Sequence, residues 1–265
     1  IAEPASGSGV FLRTIMELVK EKLSYPSGKK DIKRIFENLL ANDFDQNACQ
    51  ATKLNLSIPY LNMFQELPKN LNVVNEEAIK YFSEHTELKG TFDTVVCNPP
   101  FIKSDLQKTD FRKAMKDHLS DFVSGKFDSY LAFIVIGIEL LKEDGLGLFI
   151  LPRNFLITDS AKKVREYVFE NAYIEAIVDL SAVNVFENKS VYVILFIFRK
   201  KKNKTTNSNT WILECNDNEA SALQDLLDKE KQKHFDYKIY TLPEAYFKTD
   251  IWYLIDSNQL DIKLQ

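Results

Sequence analysis

Two consecutive prolines, Pro99 and Pro100, follow the run Phe92-Asp93-Thr94-Val95-Val96-Cys97-Asn98 and leave this chain few options. Residues 94–97 are β-branched or apolar, the composition of a strand buried in a parallel sheet. Proline has no N–H for a sheet ladder and pushes the residue before it into an extended conformation. The chain therefore leaves the carboxyl edge of a buried strand in a stiff turn. In open α/β sheets that edge is where ligands bind. The Asn98 side-chain oxygen and the Pro99 carbonyl are two acceptors suited to an exocyclic NH2, and Phe101 offers a ring face for stacking. In isolation, the same four residues are equally a strand-ending turn followed by a core phenylalanine.

Upstream, Glu3-Pro4-Ala5-Ser6-Gly7-Ser8-Gly9 reads as a strand end and a glycine loop opening a helix. That helix carries Phe11, Ile15, Leu18, Val19 and Leu23 on one face. Gly7 and Gly9 let backbone approach a ligand closely, with helix N–H groups pointing at it. A dinucleotide fingerprint would need a third glycine where Leu12 stands, and Glu3 suits an ammonium better than a pyrophosphate. Residues 26–33 read as a polar, basic loop. A second strand then ends in Asn42-Asp43-Phe44-Asp45. An acid at that position holds a ribose diol, and Phe44 would lie against an adenine; alone, Asp43 and Asp45 are equally helix caps. Residues 71–79 read as a third strand whose exit places Glu77 near the amino group of a bound adenine, or leaves it a solvated loop charge.

Beyond the proline turn, Lys103, Lys108, Arg112, Lys113 and Lys116 suit phosphate contacts, although interleaved acids also fit a solvated helix face. Residues 127–141 form an apolar helix, 147–152 a strand, 161–171 a helix, and 173–180 with 192–198 an antiparallel hairpin at one sheet edge. Phe186 sits in the hairpin loop and is a second ring able to clasp a planar base. The alternation predicts an α/β fold, doubly wound and mostly parallel. The basic, polar stretch 199–209 marks a boundary: 1–200 a catalytic domain, 201–265 a linker and the start of a further domain, with 211–215 able to add a strand and 220–232 a helix.

The chain has 265 residues, 45% of them hydrophobic, enough for a full core. No apolar run reaches the ~18 residues of a membrane span, and Cys49, Cys97 and Cys215 show no disulfide or zinc spacing, so a reducing, cytoplasmic setting without metal is expected. A net charge of -4 leaves any nucleic-acid contact to a local basic face. The first residue is Ile1, not Met, and lies beside the glycine loop, so the sequence reads as part of a longer polypeptide.

Taken together, Glu3-Pro4-Ala5-Ser6-Gly7-Ser8-Gly9-Val10-Phe11-Leu12, Asn42-Asp43-Phe44-Asp45 and Asn98-Pro99-Pro100-Phe101 resemble the motifs of S-adenosylmethionine-dependent adenine-N6 DNA methyltransferases of the gamma arrangement. The texture is that of type IIG restriction-modification enzymes and type I modification subunits, over about the first 200 residues. Relatives usually carry Asp where Glu3 stands and often Cys where Ser6 stands. The resemblance implies a Rossmann-like class I methyltransferase fold, with Glu3, Pro4, Ala5, Gly7, Gly9, Asp43, Phe44 and Glu77 around S-adenosylmethionine. It also implies that Asn98, Pro99, Pro100 and Phe101 act on an adenine extruded from double-stranded DNA, with Phe101 and Phe186 stacking on it. Implied partners are a specificity subunit or covalently linked recognition and nuclease domains, and no membrane. RNA and protein-glutamine methyltransferases use similar turns, and a silent scaffold would keep the fold; Pro4 and Phe11-Leu12 favour the DNA family.

Overall fold

A computed structural model describes residues 1–23, 27–107, 109–122, 126–182, 192–202, 209–215 and 237–255. Strand β1 (Ala2–Glu3) leads through the glycine loop into α1 (Val10–Lys22) and α2 (Lys29–Glu37). Then come β2 (Leu40–Asn42), α3 (Gln46–Phe64), β3 (Asn72–Val74), α4 (Ala78–Glu84) and β4 (Phe92–Cys97). The proline turn is followed by α5 (Thr109–His118), α6 (Ser129–Leu140), β5 (Leu141–Pro152), α7 (Lys162–Asn171) and β6 (Ala172–Asp179). Strands β7 (Val193–Lys200), β8 (Asn209–Cys215) and β9 (Tyr237–Pro243) complete the series. The sheet order is β3-β2-β1-β4-β5-β7-β6-β8-β9.

Strands β1 to β5 are parallel, with Ala2 opposite both Leu40 and Val95, and Cys97 opposite Phe149. This is the doubly wound α/β arrangement that the alternation of apolar runs anticipates. Helices α1 to α3 pack Leu12, Met16, Ile32, Phe36, Leu56 and Tyr60 against one face, over Ala41 and Val96. The opposite face is covered by α4 to α7, with Ile79, Met115, Leu131, Ile134 and Val164 in that core. Helix α6 is buried almost all round, which explains why it is apolar on every side rather than on a stripe.

Four elements differ from the expectation. Residues 29–37 form a helix where a basic loop over 26–33 and the approach to the second strand are predicted: Ile32 and Phe36, four apart, bury one face while the charges line the other. The third strand stops at Val74, and Glu77 instead caps α4. The β6–β7 hairpin forms, with β7 antiparallel to both β5 and β6, but it is not at the sheet edge. Strand β8 pairs parallel to β6, and β9 antiparallel to β8, so the sheet runs on past residue 200. Residues 237–255, unreadable from the sequence, form β9 and a packed aromatic cap. Phe186, Lys108 and the helix expected over 220–232 lie outside the described residues. No helix among the described residues is long and apolar enough to cross a membrane.

The cap is anchored by Trp252, fully buried, whose ring meets Phe155, Phe196 and Phe247 at 5.7, 6.4 and 5.2 Å between centroids. Its backbone N–H donates to Leu156 O at 2.9 Å. Arg165, 1% exposed, ties the same segment down by donating from Nε to Asp250 O and from Nη1 to Phe155 O and Thr158 O. Truncating a buried Trp removes its transfer free energy and leaves a cavity. Trp252→Ala is expected to lower unfolding stability by about 3–5 kcal/mol in urea titrations; a loss under about 1 kcal/mol would mean the cap is peripheral to the core.

Candidate active site

The glycine loop is built by contacts from the second and third segments. Gly7 and Gly9 have φ of 52° and 74°, the left-handed region that favours glycine. A Cβ on Gly9 would come within 2.8 Å of the Thr52 side chain, while one on Gly7 would meet nothing within 4 Å, so open space faces Gly7. Thr52 Oγ1 donates to Gly7 O at 2.9 Å and Asn55 Nδ2 to Ser8 O at 2.8 Å, both from α3. The Gly7 N–H donates to Asp43 Oδ2 at 2.8 Å. Asp43 Oδ1 accepts from Asp45 N at 3.0 Å, and Asp45 in turn caps α3 through Asn47 N. Capping thus falls to Asp45, while Asp43 links the end of β2 to the loop, with lone pairs remaining on its carboxylate.

Asn42, 1% exposed, stitches the exits of β1 and β3 together by donating from Nδ2 to Pro4 O and Glu76 O, each at 3.2 Å. Its Oδ1 has no partner among the described residues. Glu77 accepts from Ile79 N and Lys80 N with its two carboxylate oxygens. These strand exits surround a cavity of about 490 Å³ lined by Pro4, Ala5, Gly7, Asn42, Asp43, Phe44, Glu77, Asn98 and Pro100. Its remaining wall is Ala78, Ile102, Leu106, Gln107, Asp110, Phe111 and Phe133, mostly apolar. Phe44 lies at this cavity, 68% exposed, at the end of β2. A wider cavity of about 1130 Å³ opens among Ile1, Arg34, Asp93 and Lys142 at the amino edge of the sheet. That edge carries none of the strand-exit loops, so the smaller cavity is the candidate site.

Four of the expected residues do not line the cavity. Glu3 is 3% exposed beneath the glycine loop, where the Leu12 backbone N–H meets its carboxyl and Oε2 has no partner among the described residues. Burial pushes its carboxyl up to about 9, and the nearby Asp43 charge adds to the shift. Gly9 packs against α3, and Pro99 is buried in the turn. Phe101 points to the other side of the turn, where its half-buried ring meets Tyr130 edge-on at 6.2 Å and packs beside Leu180, Val193 and Cys215. Asn98 stands between these two regions, half-buried. Beneath it, burial drives the Cys97 thiol well above its ordinary range, which leaves no thiolate nucleophile at this turn. Gln107, Asp110, Phe111 and Phe133 were not legible as site residues. They reach the cavity from α6 and from the segment that ends in α5, through tertiary packing alone.

Comparison with known proteins identifies the family and the fold. The model of the Eco57I restriction-modification methylase family matches residues 37–186. The type II restriction enzyme and methyltransferase RM.Eco57I of Escherichia coli is 32% identical over 112 residues, 42% of this chain and 11% of that protein. The type II methyltransferase M.HincII of Haemophilus influenzae is 26% identical over 209 residues, 77% of this chain and 33% of that protein. The chain thus spans a third or less of either relative. Among solved structures, the type I restriction enzyme EcoKI M protein superposes with a TM-score of 0.64 at 15% identity, over 97% of this chain and 62% of that one. That likeness speaks to the fold alone, the sheet and its flanking helices. With a family model matching more than half of its residues, the chain belongs to the Eco57I restriction-modification methylase family.

Proposed function

We propose that this chain is the catalytic part of a DNA methyltransferase that transfers a methyl group from S-adenosylmethionine to the N6 amino group of an adenine in double-stranded DNA, within a restriction-modification system. On this reading residues 1–200 hold the cofactor and the reacting base. Strands β8 and β9 and the aromatic cap extend the same sheet, and a target-recognition domain, with a specificity subunit or linked nuclease, completes the assembly. The observation that carries it is the single cavity that joins the glycine loop, Asp43 and Asn98.

The residues present fit the cofactor. The open space at Gly7 admits a ligand against the backbone, and the buried Glu3 beneath the loop offers a carboxyl that an ammonium brought close would ionise. Asp43 is placed for ribose hydroxyls, and the apolar wall with Phe44 and Phe133 for a purine. S-adenosylmethionine, when bound, supplies a methyl group already activated as a sulfonium. The protein's own contribution is orientation. Asn98 Oδ1 and Pro99 O accept the two hydrogens of an amino group and direct its lone pair outward, toward the glycine-loop side. The two proline rings restrain the backbone of the turn and with it the direction of the Pro99 carbonyl. Phe101, on the far side of Asn98, supplies a stacking face for the extruded base, whose removal from the duplex costs a few kcal/mol. The exposed Lys103, Arg112, Lys113 and Lys116 follow the turn and suit the flanking phosphates.

The test is genomic. DNA from the source strain, with and without the gene, is sequenced by a method that reports N6-methyladenine. One sequence motif is expected to be modified only when the gene is present. No change at adenine, or tritiated methyl groups appearing in RNA or protein instead, rejects the DNA assignment.

A further inference from the structure

The hydroxyl of Ser129, at the start of α6, is fully buried and touches the proline turn twice. It accepts from the Ile102 N–H at 2.9 Å and donates to the Pro100 carbonyl. Those two groups belong to the peptide units on either side of Phe101. The Ser129 N–H also donates to Ile102 O at 3.1 Å. One residue further along, the Tyr130 ring meets the Phe101 ring edge-on at 6.2 Å. Backbone and ring of Phe101 are therefore both set by consecutive residues of one helix.

We propose that Ser129 is a positioning residue that fixes the backbone of Phe101, and through it the face offered to the substrate base; this rests on the function proposed above. Prolines stiffen the chain at 99 and 100 but leave the two dihedral angles of Phe101 free. A hydroxyl that bridges the carbonyl before it and the N–H after it removes that freedom. Asp128 and Gln107 hold the following residues, accepting from Ser104 N and donating to Ile102 O, so Ser129 is the contact that brackets Phe101 itself. Ser129 lines no part of the cofactor cavity. Its loss should therefore act on the base and not on the cofactor.

The experiment uses the full-length protein, tritiated S-adenosylmethionine, and DNA from a host without adenine methylation. Ser129→Ala, and Ser129→Cys, which keeps the volume with a poor hydrogen-bonding group, are expected to lower kcat/KM for DNA by about 10–100-fold. Cofactor Kd by equilibrium dialysis should stay within about twofold. Ser129→Thr, which keeps the hydroxyl, should restore most of the rate. The double variant Ser129→Ala with Phe101→Ala should be no slower than Phe101→Ala alone, because the serine acts through that ring. If Ser129→Ala fails to fold, Ser129→Cys decides. Wild-type rates in both variants, cofactor affinity falling in step with rate, or effects that multiply in the double variant would each overturn the proposal. A wild type inert toward DNA would instead reject the parent function, and this role with it.

Discussion

Asn98→Ala is expected to slow methyl transfer by about 10²–10³-fold while leaving S-adenosylmethionine affinity within about twofold. The magnitude is that of removing one fixed hydrogen-bonding group from a site where the group is aimed at the reacting atom. The fold should tolerate the change. No hydrogen bond ties the Asn98 amide to another described residue, and the turn is shaped by Pro99 and Pro100 rather than by the asparagine side chain. What disappears is an acceptor on the wall of the cavity, next in sequence to the proline turn that carries Phe101. Asn98→Asp keeps an acceptor oxygen and should retain more activity than the alanine variant. Single-turnover transfer of tritiated methyl groups to unmodified DNA gives the rate, and calorimetry gives the cofactor affinity. Cofactor binding lost together with activity would make Asn98 a structural residue. More than a tenth of the rate surviving would mean that the amide is not the acceptor. A wild type that binds cofactor without turnover would point to a silent scaffold.

The parts of this molecule that could be read from the sequence are those whose chemistry is local. A β-branched run halted by two prolines can do little except end a buried strand, and β4 ends at Cys97. Two glycines before an amphipathic run make a loop and a helix, and α1 begins directly after Gly9. What escaped is set by distant partners. Helix α2 is dense in charge, and its two buried residues are recognisable as a helix face only once the core it covers is known. The hairpin looked like an edge because nothing in residues 209–215 announces that they pair with β6. Trp252 is an aromatic in an irregular tail until Phe155, Phe196 and Phe247 close around it. The same holds at the site. Gly7, Asp43 and Asn98 lie in recognisable local patterns, whereas Phe133 comes from a helix that is apolar on every face and carries no mark of its role.

Stability should fall as pH rises from about 4.5 to about 9, by up to about 1.4 kcal/mol per pH unit, and Glu3→Gln should abolish that component. The cause is the position of Glu3 at the end of β1, 3% exposed, with one oxygen unpartnered among the described residues. Burial there disfavours the carboxylate and raises the carboxyl from its ordinary 4.5 to about 9. Between those two values the folded chain holds a proton that the unfolded chain has released, so each step up in pH favours unfolding. Below about 4.5 both states are protonated and the full stability is present; above about 9 both are ionised and the loss is complete. Glutamine keeps the size and a hydrogen-bonding group without the titration. The difference in unfolding free energy between Glu3→Gln and wild type, from urea titrations at pH 6, 7 and 8, should therefore widen steadily in favour of the variant. Saturating S-adenosylmethionine should flatten that trend for the wild type alone. A cationic ammonium near Glu3 stabilises the ionised form, so binding releases a proton and tightens as pH rises across neutrality. Calorimetry in buffers of different ionisation enthalpy counts that proton. Parallel pH slopes for the two proteins would show that Glu3 is already ionised in the folded chain. Proton release unchanged in Glu3→Gln would show that the ammonium is held elsewhere.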